Sequence, residues 1–431
     1  MKRYDLRNNK KLIIDDFLKT REQTSYEEYE QSVSQILDTV KNKGNAALIK
    51  YSEQFDQIKL TQETLFVSEA EIKEAYKQVD TDLIRVIKRA YEKIYSYHMK
   101  QKKYSWFDTD AFGTMLGQKI SPIERVGVYV PGGTAVYPSS VLMNVIPALV
   151  AGVADITMTT PMLKNGQINP TTLVAADICG IKKILKVGGA QAIGALAYGT
   201  QTIQKVDKIV GPGNIYVALA KKKVFGQVGI DSIAGPSEIL IIADETAKAK
   251  YVAADMLSQA EHDVLASSVL VTTSAKLADD VSRELEQQAK ALSRTQIMLE
   301  SLKNYGAIIL VDSLEDAIHI SDQIAPEHLE ICTKEPVMVM NKINHAGAIF
   351  LGNYSPEPLG DYMAGPNHVL PTNATARFFS PLSVDDFIKK SSIIYYNEEA
   401  LATLKEDIVT FAENEALTAH ANAIKVRFLD E

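Results

Sequence analysis

Residues 125–160 read RVGVYVPGGTAVYPSSVLMNVIPALVAGVADITMTT. The stretch opens on a short apolar run, Arg125–Val130, and turns through Pro131-Gly132-Gly133. It continues as a helix-length apolar segment, Ser139–Ala151, and closes on a second run, Ala154–Thr159. Parallel strands need a crossover between them, and a helix is the usual one, so this order reads as a βαβ unit. The alternation continues through Lys183–Val187, the helical Ala190–Tyr198 and Asp207–Val210. A second series follows at Glu238–Ala243, Ser267–Thr272, Gly306–Val311 and Ala346–Leu351. Runs that are apolar throughout, rather than alternating, belong to strands covered on both faces. The expected class is α/β: two Rossmann-like (incomplete) parallel-sheet modules with helical N- and C-terminal segments. The break between modules is expected near Ala234-Gly235-Pro236.

Upstream, residues 1–103 read as helical. Ser25 and Glu28 have capping-box spacing, and Val33, Ile36, Leu37 and Val40 follow at helical intervals up to Gly44. A second helix carries Leu83, Val86, Ile87, Ala90 and Ile94 on one face. The tail after about Ser380 also reads as helix.

The bulk numbers narrow the function classes. With 431 residues the chain is long enough for several domains, and its net charge of −8 argues against a nucleic-acid partner, which usually needs a basic face. It suits a soluble cytoplasmic enzyme. Cys179 and Cys332 are too few and too far apart for a disulfide framework or a four-thiolate metal site. The N-terminus lacks a signal-peptide core. The longest apolar candidate, Val141–Val153, falls short of the roughly 20 residues of a membrane helix and contains Pro147.

Three glycine-rich loops, Pro131-Gly132-Gly133, Gly188-Gly189 and Gly211-Pro212-Gly213-Asn214, each follow a strand and precede a helix. Each alone reads more simply as a plain turn, which needs glycine anyway; three in one module favour a ligand cleft at the carboxyl ends of the strands. None is a standard nucleotide fingerprint, because Tyr216 stands where a third glycine would follow Gly211 and Gly213.

Of the 7 histidines, all but His98 lie from residue 262 onward. Gln259 and His262 are three apart in a helical segment and share a face, with Gln259 aligned on Val252 and Met256. An inward amide beside an imidazole needs partners, either a metal or a hydrogen-bond network. Asp361 and His368 lie in LGDYMAGPNHVLP, and Glu415 and His420 lie five apart in the tail. Gln259, His262, Asp361 and His420 could together give four N/O ligands, suited to zinc without sulfur and open also to manganese or cobalt. Glu327-His328, just before a short strand, reads as an acid–base pair or as a solvated glutamate beside a capping histidine.

Ile233–Glu238 (IAGPSE) and Asp255–His262 (DMLSQAEH) resemble the two halves of the histidinol dehydrogenase signature. The resemblance continues through Pro326–Glu330, Gly360-Asp361-Tyr362, Gly365–Pro371 and Leu417–His420, and earlier through Tyr129–Gly133 and Val187–Ile193. It implies a zinc-dependent oxidation of L-histidinol, through the aldehyde, to L-histidine, the closing step of histidine biosynthesis. NAD would be the hydride acceptor. It implies one Zn2+ per subunit on Gln259, His262, Asp361 and His420, which would anchor the substrate's imidazole and amine. His328 would take the hydroxyl proton, and Glu327 would activate the water that attacks the aldehyde. Ser237, His368 and Glu415 would contact substrate, together with His328 and the metal ligands. Tyr129, Gln191 and Asn214 would contact NAD. It also implies a homodimer with shared active sites, Glu415 and His420 completing the partner's.

On that basis residues 1–25 form an N-terminal helical arm. Residues 26–128 with 240–380 form a first α/β domain carrying the metal and catalytic residues. Residues 129–239 form a second α/β domain carrying the NAD contacts, and 381–431 a helical tail exchanged across the dimer. Two rival readings use the same residues. One is a zinc-dependent hydrolase with Glu327 as base, which leaves the glycine loops without a role. The other is a non-catalytic binding protein, which leaves Glu327-His328 without one.

Overall fold

The structure is a computed structural model of the chain and describes residues 1–7, 27–132, 137–233 and 235–429. In chain order its strands are β1 (Lys2–Asp5), β2 (Trp106–Thr109), β3 (Met115–Pro122), β4 (Arg125–Tyr129), β5 (Asp155–Thr159), β6 (Lys183–Leu185), β7 (Lys208–Val210), β8 (Gly229–Ile230), β9 (Glu238–Ala243), β10 (Ser267–Thr272), β11 (Ala307–Leu310), β12 (His328–Cys332), β13 (Ala348–Leu351) and β14 (Ile388–Tyr395). The chain divides into two compact units, one of Met1–Gln101 with Ile123–Phe387 and one of Lys102–Pro122 with Ile388–Glu431.

The first unit holds two parallel sheets, ordered β6-β5-β4-β7-β8 and β1-β11-β10-β9-β12-β13. In each, the chain steps outward from a first strand, β4 or β9, then restarts on that strand's other side with β7 or β12. That reversal is a topological switch point, where α/β sheets open a crevice. Every residue of β9, β10, β11 and β12 is buried, as doubly covered strands require. The helices between are set by local signals. Ser274 and Ser313 cap the Ala275–Ala289 and Leu314–Ile324 helices by accepting from Leu277 and Asp316 amides.

The helices between residues 27 and 101 were expected to side with 240–380; their buried faces lie on the other module. Val33, Ile36, Leu37 and Val40 of the Glu27–Lys43 helix join a core with Leu185, Ile193 and Leu196. Ile87, Ala90 and Ile94 of the Thr81–Met99 helix join one with Met143 and Ile146. An apolar stripe says that a helix is covered, not by what. Glu28 sits in the first turn of the Glu27–Lys43 helix, while Ser25 lies outside the described residues.

The ends of the chain depart from helical expectations. Lys2–Asp5 is an edge strand, paired in parallel with β11. Leu382, Val384 and Phe387 pack into the first unit's core. The second unit is a three-stranded antiparallel sheet, β14-β3-β2, with the Glu398–Asn414 and Thr418–Lys425 helices meeting through Val409, Ala412 and Ala421. β14 replaces expected helix because its partner β3 precedes it by some 270 residues, beyond any local pattern. Both cysteine thiols are buried and free. Among the described residues no helix is long and apolar enough to cross a membrane.

Candidate active site

A cleft of about 400 Å³ opens in the first unit. One wall is made of Pro131, Gly211, Pro212, Gly213 and Asn214, following the carboxyl ends of β4 and β7 and so flanking the switch point of the five-stranded sheet. The opposite wall carries Ser237, Glu327 and His328, at the amino ends of β9 and β12, with His262, Asp361 and His368 beside them.

Glu327 and His328 are both buried and both anchored to Glu238 at the head of β9. The Glu238 amide donates to Glu327 Oε2 at 2.9 Å, and His328 Nδ1 lies 3.0 Å from the Glu238 carbonyl. A carbonyl only accepts, so Nδ1 carries the ring proton and Nε2 is left as an acceptor. The two side chains approach to 3.7 Å, Nδ1 to Oε2. Burial pulls the His328 pKa down to about 4, against the nearby Asp361 carboxylate, and keeps the ring neutral. Burial pushes Glu327 well above the ordinary carboxyl range, helped by the negative charge of Glu238, Asp361 and Glu357.

Next to this pair, His262, Glu357 and Asp361 place one ligand atom each within 4.8 Å of one another. His262 follows the Ala249–Ala260 helix; Glu357 and Asp361 open and nearly close the Glu357–Tyr362 helix, four residues apart on one face. Asp361 Oδ1 lies 3.4 Å from His368 Nδ1. Burial pushes Asp361 upward, but the surrounding histidines outweigh it and hold the group below the usual range. Burial and the Asp361 charge raise Glu357 to about 8, while Ser258 Oγ donates to its Oε2 at 3.1 Å. Gln259, on the buried face of the Ala249–Ala260 helix, is 0% exposed, and neither polar atom of its side chain meets a hydrogen-bond partner among the described residues. A fully buried amide left in this state is costly unless something else takes its electrons.

On the cofactor side, Asn214 lines the cleft and caps the Ile215–Val224 helix, its Oδ1 accepting from the Val217 amide at 3.2 Å. Tyr129 and Gln191 are buried and do not line that cavity. The Tyr129 hydroxyl accepts from the Gly189 amide at 3.1 Å. Glu415 and His420 belong to the second unit; both are exposed, Glu415 ending the Glu398–Asn414 helix and His420 lying in the Thr418–Lys425 helix.

Residues 19–428 match the family model for histidinol dehydrogenase. The chain belongs to the histidinol dehydrogenase family. It is 58% identical over 411 residues to the histidinol dehydrogenase of Clostridium acetobutylicum, covering 95% of each chain. Against that of Lactococcus lactis it is 50% identical, covering 99% of each. The crystal structure of histidinol dehydrogenase from Elizabethkingia anophelis superposes with a TM-score of 0.95 at 40% identity, covering 99% of this chain and 98% of that one. Histidinol dehydrogenases are NAD-dependent oxidoreductases of histidine biosynthesis, so family membership disfavours the hydrolase reading.

Within this histidinol dehydrogenase fold, the His262–Glu357–Asp361 cluster contains a residue that the sequence reading missed. Glu357 sits in Ser355-Pro356-Glu357-Pro358, which looks like loop because prolines flank it. Its spacing of four from Asp361 was the available signal.

Proposed function

We propose that this chain oxidises L-histidinol through the aldehyde to L-histidine, with zinc and NAD, and that His328 and Glu327 handle the protons. The observation that carries this reading is the buried, neutral His328, its Nδ1–H fixed on the Glu238 carbonyl, beside Glu327 and the His262–Glu357–Asp361 cluster. The donor set fits zinc, since it offers imidazole, carboxylate and an amide with no other partner among the described residues. Gln259, His262 and Asp361 would hold the ion, with His420 from a partner copy as the fourth ligand. Bound there, zinc would supply a fixed point for the substrate's imidazole and amine.

The chain's own side chains do the rest. His328 Nε2 takes the hydroxyl proton of the alcohol as a hydride passes from the same carbon to NAD, giving the aldehyde. Glu327 then takes a proton from the water that adds to that carbonyl carbon, and a second hydride leaves for a second NAD, giving the carboxylate. A carboxyl held above its usual range is the stronger base once ionised, which suits Glu327 to water. Ser237 and His368, both lining the cleft, contact substrate, with Glu415 joining from a partner copy. Asn214 meets NAD in the cleft, with Tyr129 and Gln191 at the neighbouring loops. Shared sites make the working form a homodimer, and the chemistry needs no membrane or nucleic acid. In this reading the metal-bearing residues and the NAD-contacting loops form the two walls of one cleft, and the enzyme acts in the cytoplasm.

The test is to incubate the zinc-loaded protein with histidinol and NAD and follow NADH. Two NADH per histidinol, lost on chelation and regained with zinc, is expected. Absence of NADH from a fully zinc-loaded sample would sink the reading in favour of a metal hydrolase.

A further inference from the structure

One buried ion pair in the lining of the cleft has no part in the chemistry above. Lys221, in the Ile215–Val224 helix, and Asp231, just after β8, form a salt bridge with side chains only 3% and 5% exposed. Both ions also hold one residue of the loop after β7. Lys221 Nζ donates to the Gly211 carbonyl at 2.9 Å, and the Gly211 amide donates to Asp231 Oδ2 at 2.7 Å. Opposite charges thus grip both polar groups of a single backbone position.

That position has little other freedom. Gly211 has φ +113°, and a Cβ there would lie 2.0 Å from the Tyr129 carbonyl oxygen, so only glycine lets the loop pass this close to the end of β4. Tyr129 in turn receives the Gly189 amide on its hydroxyl. The loops after β4, β6 and β7 are therefore linked through Tyr129, and the Lys221–Asp231 pair fixes the loop after β7, which carries Asn214 into the cleft. A buried ion pair is a poor device for stability alone, because apolar residues of similar size usually hold a fold as well without the desolvation cost. Apolar residues could not bond the Gly211 peptide.

We propose that Lys221 and Asp231 are positioning residues that clamp the Gly211–Asn214 backbone in the conformation that receives the nicotinamide dinucleotide. The proposal rests on the reading that this loop contacts NAD, and the experiment separates the two. Amide hydrogen exchange of the wild-type enzyme is measured with and without NAD, and binding and kinetics are compared with the double variant K221M/D231L. Removing both charges together avoids leaving one buried alone. In the wild type, NAD is expected to slow exchange at residues 211–214. In the double variant the dissociation constant and KM for NAD should rise about tenfold, as loss of two hydrogen bonds implies. The KM for histidinol and the zinc content should not change.

If NAD leaves the wild-type loop unprotected, the loop reading fails and the clamp with it. If the loop is protected but the double variant binds NAD as tightly as wild type, the loop reading stands and the clamp is refuted. If that variant does not fold, K221M/D231N is decisive, since it removes both charges and the donor to the Gly211 carbonyl while keeping an acceptor for the Gly211 amide. Selective weakening of NAD over histidinol supports the clamp, and equal weakening of both, or none, overturns it.

Discussion

The five-stranded and six-stranded sheets are wound in the same order, each stepping outward from β4 or β9 and restarting with β7 or β12, yet they meet the cleft with opposite ends. The five-stranded sheet presents carboxyl ends, and what it offers is backbone: glycine turns and the capped start of the Ile215–Val224 helix. The six-stranded sheet presents amino ends, and what it offers is titratable side chains: Glu327, His328 and the nearby His262, Glu357 and Asp361. In the proposed reading the same winding serves two tasks. Peptide groups at strand ends can hold a long polar ligand by shape, whereas proton transfer needs groups whose pKa burial can move.

Three perturbations test this division. The largest effect is expected from His262→Asn, which removes an imidazole from the side-chain wall. Zinc content and turnover should fall below detection while NAD binding to the backbone wall persists, as read by elemental analysis and NAD titration. A variant that retains zinc and full activity would show that the cluster is not the metal site. Glu327→Gln comes next. Single-turnover NADH traces should show the second oxidation slowed by between about 10² and 10⁴-fold, the span of general-base catalysis, with the first step slowed less. Equal slowing of both would abolish the assignment of water activation to Glu327.

The smallest effect concerns acid. His328 titrates near 4 in the folded chain against 6.5 for an ordinary histidine. Between those values the unfolded chain is protonated at this residue and the folded chain is not. Stability from this group is thus complete above about pH 6.5 and lost as pH falls toward 4, by up to roughly 3 kcal/mol. Urea unfolding of the wild type and His328→Asn across that window should give a flatter pH dependence for the variant. Parallel curves would mean that burial does not hold the ring neutral.

The sheets were largely legible because their strands are covered on both faces and so read as apolar runs without alternation: Glu238–Ala243 and Ser267–Thr272, with polar residues only at their ends, match their strands end to end. Strands without that property were hidden. Lys2–Asp5 is a short edge strand with charged residues, and Ile388–Tyr395 is mostly exposed and pairs with a segment far back in the chain. In the site, spacing put Gln259 and His262 on one helical face, but the helix ends at Ala260 and His262 lies in the turn beyond it. The union of β9 and β12 through Glu238 could not be read from spacing, because strand neighbours are set by tertiary packing. Glu357 was masked by its flanking prolines, and Lys221 by two further lysines that make its segment look like a solvated face.

Glu238 gives its amide to Glu327 and its carbonyl to the His328 ring, so two adjacent side chains hang from one residue of the neighbouring strand. Both attachments use the Glu238 main chain, and a shift of either strand by one residue would break them. Residues around the rim could then be exchanged without disturbing the two side chains proposed to handle the protons.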